Sequence, residues 1–77
     1  MFLVVEEQMW ADGSYHYITY NYADRMEAEA KYHYILSEAA LAKIPLNGAC
    51  VLDNKLNVLM AYVYQHGEYL VTENEES

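Results

Sequence analysis

The stretch from Asp24 to Ile44 constrains this chain most, because it reads as one helix with more apolar surface than a single small domain covers. Projected at 3.6 residues per turn, one apolar stripe runs through Ala28, Tyr32, Ile35, Leu36, Ala39 and Ala42. A second runs through Met26, Ala30, Tyr34, Leu41 and Ile44. A helix laid across a sheet needs only one such stripe. The second calls for a partner, and a second copy of the chain is the simplest one. Asp24 is a natural N-cap with Glu27 at the third helical position. Pro45 stops the helix, since the residue before a proline is pushed out of helical geometry.

The flanking segments read as two hairpins. Residues 2–10 open with the apolar run Phe2-Leu3-Val4-Val5 and become half polar from Glu6 to Trp10. Asp12-Gly13 is a hairpin signal, because glycine takes a positive φ without steric cost. Tyr15 to Tyr22 alternates as a second strand rich in tyrosine, which suits cross-strand ring packing. After the helix, Asn47-Gly48 reads as a turn, Ala49 to Leu52 as a short strand and Leu56 to Gln65 as a longer one. Both faces of that last strand are largely apolar towards the middle, as in a central or doubly covered strand. The sequence therefore predicts an α+β domain over residues 1–67. Its antiparallel sheet has about four strands in β-β-α-β-β order, with one helix across one face. Residues 68–77 are expected to form an acidic tail, either flexible or adding a short edge strand.

Size and charge narrow the function classes. A domain of 77 residues buries only about 60% of its unfolded surface, so small chains often lean on disulfides, metals or oligomerisation. One cysteine, Cys50, cannot form an internal bridge, and Ala49 and Val51 beside it predict a buried strand thiol. Oligomerisation is the support that remains, with a dimer favoured. The unpaired cysteine points to a reducing cytoplasm. The formal net charge is −8, from 12 acids and 4 bases, and Glu68, Glu73, Glu75 and Glu76 all lie in the last ten residues. With Arg25, Lys31, Lys43 and Lys55 scattered, direct nucleic-acid binding and docking on anionic lipid are not expected. No signal peptide and no membrane-spanning stretch are predicted.

The histidines, the cysteine and the tyrosines are the side chains that could carry chemistry. Glu29 and His33 stand four apart on the helix, which makes them a candidate acid–base or metal pair, although such spacing is ordinary on an exposed helix. Cys50 lacks a nearby Lys, Arg or His to lower its pKa. No phosphate loop, nucleophile elbow or zinc spacing is present. No enzyme activity, cofactor or metal is expected. The residues expected at interfaces are Trp10, Tyr34, Leu41 and Tyr62, because aromatic residues concentrate at interface cores.

Four segments carry a resemblance: Val4–Trp10, the turn Ala11-Asp12-Gly13, the stretch Asp24 to His33 (DRMEAEAKYH) and the strand Cys50-Val51-Leu52-Asp53. Together they resemble a group of small uncharacterised proteins from phages and mobile elements of Firmicutes and gut bacteria. The resemblance implies a β-β-α-β-β fold and a bacterial or phage origin, and it brings no activity with it. Residues 62–70 depart from that group's usual ending. The leading expectation is a self-associating interaction or accessory protein. The alternative is a phage or mobile-element regulator that binds a host protein, through carboxylates that mimic nucleic-acid phosphates.

Overall fold

The computed structural model describes residues 1–70. Strand β1 (Phe2–Met9) turns into β2 (Tyr15–Tyr22), helix α1 (Arg25–Ala39) follows, and β3 (Leu46–Leu52) and β4 (Val58–Gln65) complete the sheet. A 3₁₀ turn at Gly67–Tyr69 follows β4. The four strands are antiparallel in the order β2-β1-β3-β4, so the two hairpins meet along β1 and β3. The chain is thus the α+β fold that its pattern predicts.

Local chemistry sets most of the boundaries. Gly13 adopts φ +88°, and Asp12 accepts from both the backbone N–H and the hydroxyl of Ser14, which closes the β1–β2 turn. Asp24 caps α1 by accepting from the Met26 N–H. The β3–β4 turn is built on Asp53, whose carboxylate accepts from the Lys55 N–H, the Asn57 N–H and the Asn57 side-chain amide. Leu56 is forced to φ +65° inside it, so β4 starts at Val58 and not at Leu56.

The Asp53 bonds, chiefly those from Asn57, hold its carboxyl below the usual carboxylate range. A depressed folded pKa adds stability that is fully present above the unfolded value of about 3.9. That stability is lost as pH falls through the lowered folded value. In an acid titration followed by circular dichroism, Asp53→Asn is therefore expected to flatten the loss of stability below pH 4 relative to the parent chain. An unchanged acid limb would show that this turn does not couple to folding.

The helix is shorter than the sequence suggests. It ends at Ala39, and the chain tightens into bonds from Leu41 N–H to Glu38 and from Ala42 N–H to Ala39. Leu41, Ala42 and Ile44 therefore lie beyond the helix. The cause is tertiary: Leu46 must enter β3 opposite both Met9 and Gln65. Pro45 is buried at that entry and its carbonyl accepts from the His66 N–H. The His66 ring lies 3.1 Å from the Ala39 carbonyl, which makes Nε2 a second donor there beside the Ala42 N–H. Strand β3 also begins earlier than the local sequence predicts, because Asn47-Gly48 is ladder and not turn.

The core lies between α1 and one sheet face. Ala28, Tyr32, Ile35 and Ala39 of the first stripe are buried, and Val4, Ala49 and Val51 meet them from the two central strands. Phe2, Tyr20, Tyr22, Leu36, Leu59 and Met60 close its margins. Val4 and Val51 are fully buried cross-strand partners, and each contributes about 1.5–3 kcal/mol by leaving water.

Candidate interaction surface

Directly paired residues of an antiparallel sheet share a face. Val4, Tyr20, Val51 and Met60 are in register with one another and face the helix. The alternate set faces away: Leu3, Val5, Glu7 and Met9 on β1, Tyr15, Tyr17, Thr19 and Asn21 on β2, Leu46, Gly48, Cys50 and Leu52 on β3, and Ala61, Val63 and Gln65 on β4. No element among the described residues covers this second face. An antiparallel sheet with one solvated face ordinarily alternates apolar inside and polar outside. Here the middle of both sides is apolar; on the open side Thr19, Asn21 and Gln65 lie on the two edge strands, and Glu7 is the one charged strand residue.

Near the middle, the small side chains of Cys50 and Ala61 leave an open hollow of about 220 Å³ between Val5, Glu7, Tyr17 and Val63. The Tyr17 hydroxyl points to Glu7, 3.4 Å from Oε2. Desolvation first, and then the Glu7 charge, raise the Tyr17 pKa above its ordinary value. Burial chiefly, with a further push from Glu7, raises the Cys50 thiol pKa as well. A raised thiol pKa leaves little thiolate at neutral pH, which is the opposite of an activated nucleophile. Cys50 lies on a strand as expected, but it is half-buried on the open face and not sealed in the core.

The expected interface residues fall on separate parts of the surface. Trp10 follows β1, half exposed, stacked on His16 at 3.7 Å and donating from Nε1 to Gln8. Tyr34 lies on the outer side of α1, where the Lys31 ammonium sits over its ring and, more closely, over that of Tyr20. Leu41 is 83% exposed in the segment after the helix. Tyr62 projects on the helix side of edge strand β4, with its ring edge-on to Tyr64. The second helix stripe is thus reduced to Met26, Ala30 and Tyr34. The broad apolar surface belongs to the sheet. Leu41→Asp is accordingly expected to leave both mass in solution and Tm unchanged, as read by light scattering and thermal melting.

The candidate pair Glu29 and His33 does not form. Glu29 is taken by Arg25 at 2.7 Å, and His33 sits edge-on to Tyr32. Among the described residues, no three His, Cys, Asp or Glu side chains converge to hold a metal. One constellation escapes sequence reading: Asp12, Ser14 and His16 form a chain of hydrogen bonds. Bonds from Ser14 hold the Asp12 carboxyl below the usual range, so it is ionised and accepts a hydrogen bond from the Ser14 hydroxyl at 2.6 Å. His16 Nε2, 2.9 Å from Ser14 Oγ, then donates to that oxygen. A nucleophilic serine needs the opposite order, with histidine accepting its proton and the carboxylate behind the histidine. The array braces the hairpin. Its only trace in the sequence is the i, i+2, i+4 spacing.

A second polar chain runs along the helix side of β1. Trp10 donates to Gln8, Gln8 to Glu6, and buried Asn47 donates to both Glu6 and the Glu7 carbonyl. It ties β1 to β3 beyond the end of the apolar core. No helix among the described residues is long and apolar enough to cross a membrane. The chain matches no protein family, no curated protein and no solved structure.

Proposed function

We propose that this chain is a non-catalytic interaction protein of the cytoplasm that works as a self-associated unit, with the open sheet face buried against a second copy. The observation that carries this reading is the apolar character of that face. Four strands of seven or eight residues, at roughly 4.8 Å spacing and 3.3 Å rise, give a footprint of roughly 19 by 25 Å. Two such faces stacked at about 10 Å cover close to 950 Å² before side-chain relief is added, which approaches the ~1,000 Å² of a specific interface. Residues 71–77 bring one large apolar residue, Val71, and three glutamates, a poor composition for covering such a surface.

Light scattering on a sizing column across a concentration series tests the reading. A dimer or a larger assembly is expected, and a stably folded monomer at high concentration would overturn it. Glu7 separates a second copy from a basic partner. Against a copy whose open-face strands carry no cation, burying its carboxylate costs free energy. Glu7→Gln is therefore expected to tighten self-association by roughly tenfold or more, about 1.4 kcal/mol. If Glu7 instead receives a lysine or arginine from another protein, the same change weakens binding.

A further inference from the structure

We infer that the free edge of β2 is a second, independent contact, at which β2 of one copy pairs antiparallel with β2 of another about a two-fold axis through Ile18. Edge strands in stable proteins are ordinarily blunted by charge, proline, a bulge or brevity. Residues Tyr15–Tyr22 have none of these. The strand is eight residues long, carries no Asp, Glu, Lys, Arg, Pro or Gly, and pairs with β1 without a register shift. The other edge, β4, differs, because its ladder is broken by an irregularity at Val51/Leu52.

The phase of the ladder fixes which groups are free. Trp10 N–H donates to the Ser14 carbonyl, so Ser14 and the even residues of β2 turn their backbone groups inward to β1. The N–H and C=O groups of Tyr15, Tyr17, Thr19 and Asn21 therefore point outward. An axis at Ile18 sets Tyr17 opposite the copy's Thr19, and Tyr15 opposite its Asn21. Every outward group is then matched, for about eight ladder bonds. On the helix side, Ile18 meets Ile18 and His16 meets Tyr20. This gives a role to an isoleucine that is 41% exposed in the single chain. The net charge of −8 opposes association in general, and this strand lets two copies meet with no like charges opposed.

This two-fold axis stands perpendicular to the sheet, whereas a face-to-face axis lies parallel to it. The two contacts together close as a tetramer when the axes cross. The edge contact does not rest on the face contact and is tested apart from it. In a Cys50→Ser background, Ile18→Cys places two thiols on directly opposed residues. Cα atoms at such a non-hydrogen-bonded position are about 4.5 Å apart, within disulfide reach. Mild oxidation is expected to convert the chain to a disulfide-linked dimer on a non-reducing gel. Adding Thr19→Pro removes an outward N–H while sparing the ladder to β1, as proline is tolerated on the open side of an edge strand. That variant is expected to keep its circular dichroism and lose the cross-link. Adding Val63→Asp, which lies on the open face, is expected to leave the cross-link in place. A folded Ile18→Cys chain that does not cross-link overturns the inference. So does a cross-link that survives Thr19→Pro or disappears with Val63→Asp.

Discussion

Gly48→Ala is expected to lower Tm by roughly 10–25 °C, a loss of about 3 kcal/mol in a domain of this size. Gly48 lies mid-strand in β3, between Glu7 of β1 and Val63 of β4. A Cβ built there falls 2.5 Å from the Tyr62 carbonyl oxygen, 2.7 Å from Val63 Cγ2 and 2.8 Å from Val63 Cα. Two of those atoms are backbone, so no rotamer change relieves the clash and the β3–β4 ladder must open. The requirement is one of space, since this glycine does not need a positive φ. Whole-domain stability at ~0.05–0.15 kcal/mol per residue is only about 4–12 kcal/mol, so a loss of this size is conspicuous in a thermal melt. Gly13→Ala should behave differently. Nothing lies near its Cβ position, and strain enters only through φ +88°. A Gly48→Ala melt within about 3 °C of the parent, under 1 kcal/mol, would show that the two strands separate cheaply.

Gly48 also shows where the sequence misleads. Asn47-Gly48 is among the stronger local turn signals, and reading it so delays β3 to Ala49. The strand in fact starts at Leu46, because Asn47 is buried and bonded to Glu6 and to the Glu7 carbonyl some forty residues away. Those are long-range bonds, and no window of sequence contains both ends. The helix end is misread for a related reason. Ala39, Ala40, Leu41 and Ala42 are good helix formers, and only the need to deliver Leu46 into register stops them. By contrast, β2 runs from Tyr15 to Tyr22 as its alternation predicts, and α1 buries the stripe Ala28, Tyr32, Ile35 and Ala39. Those signals are local and agree with the fold.

The proposed interaction surface is half legible in the sequence. The apolar faces of β4 were visible in the sequence, and so was the excess of apolar surface over one core. Which element held the excess was not. The helix claimed it because Leu41 and Ile44 extended its second stripe, and those residues lie past the helix end. Lys31 screens part of what remains by sitting over Tyr34. The open sheet face is assembled from alternate residues of all four strands. It exists only once the order β2-β1-β3-β4 sets Val5 beside Cys50 and Cys50 beside Ala61.

Val63→Asp is expected to abolish the face-to-face contact at concentrations where the parent assembles through it, so that at most the edge-paired dimer remains. Val63 walls the hollow on the open face and is 37% exposed in the single chain, so a polar replacement there disturbs the core little. In the face-to-face assembly the same position is dry. An unpaired carboxylate buried there costs at least several kcal/mol or must take up a proton. Glu7 lines the same hollow, and a second acid beside it adds repulsion. A penalty of about 3 kcal/mol already weakens association more than a hundredfold. Val58→Asp serves as the graded control. It lies at the start of β4 and is 62% exposed, toward the rim where water reaches the carboxylate, so its effect should be several-fold smaller. Light scattering gives the mass and a thermal melt reports the fold. Loss of mass with an intact melt for Val63→Asp, and a weaker loss for Val58→Asp, is the expected result. If both variants keep the parent's mass, the open face is not the contact between copies, and its apolar surface serves a different protein.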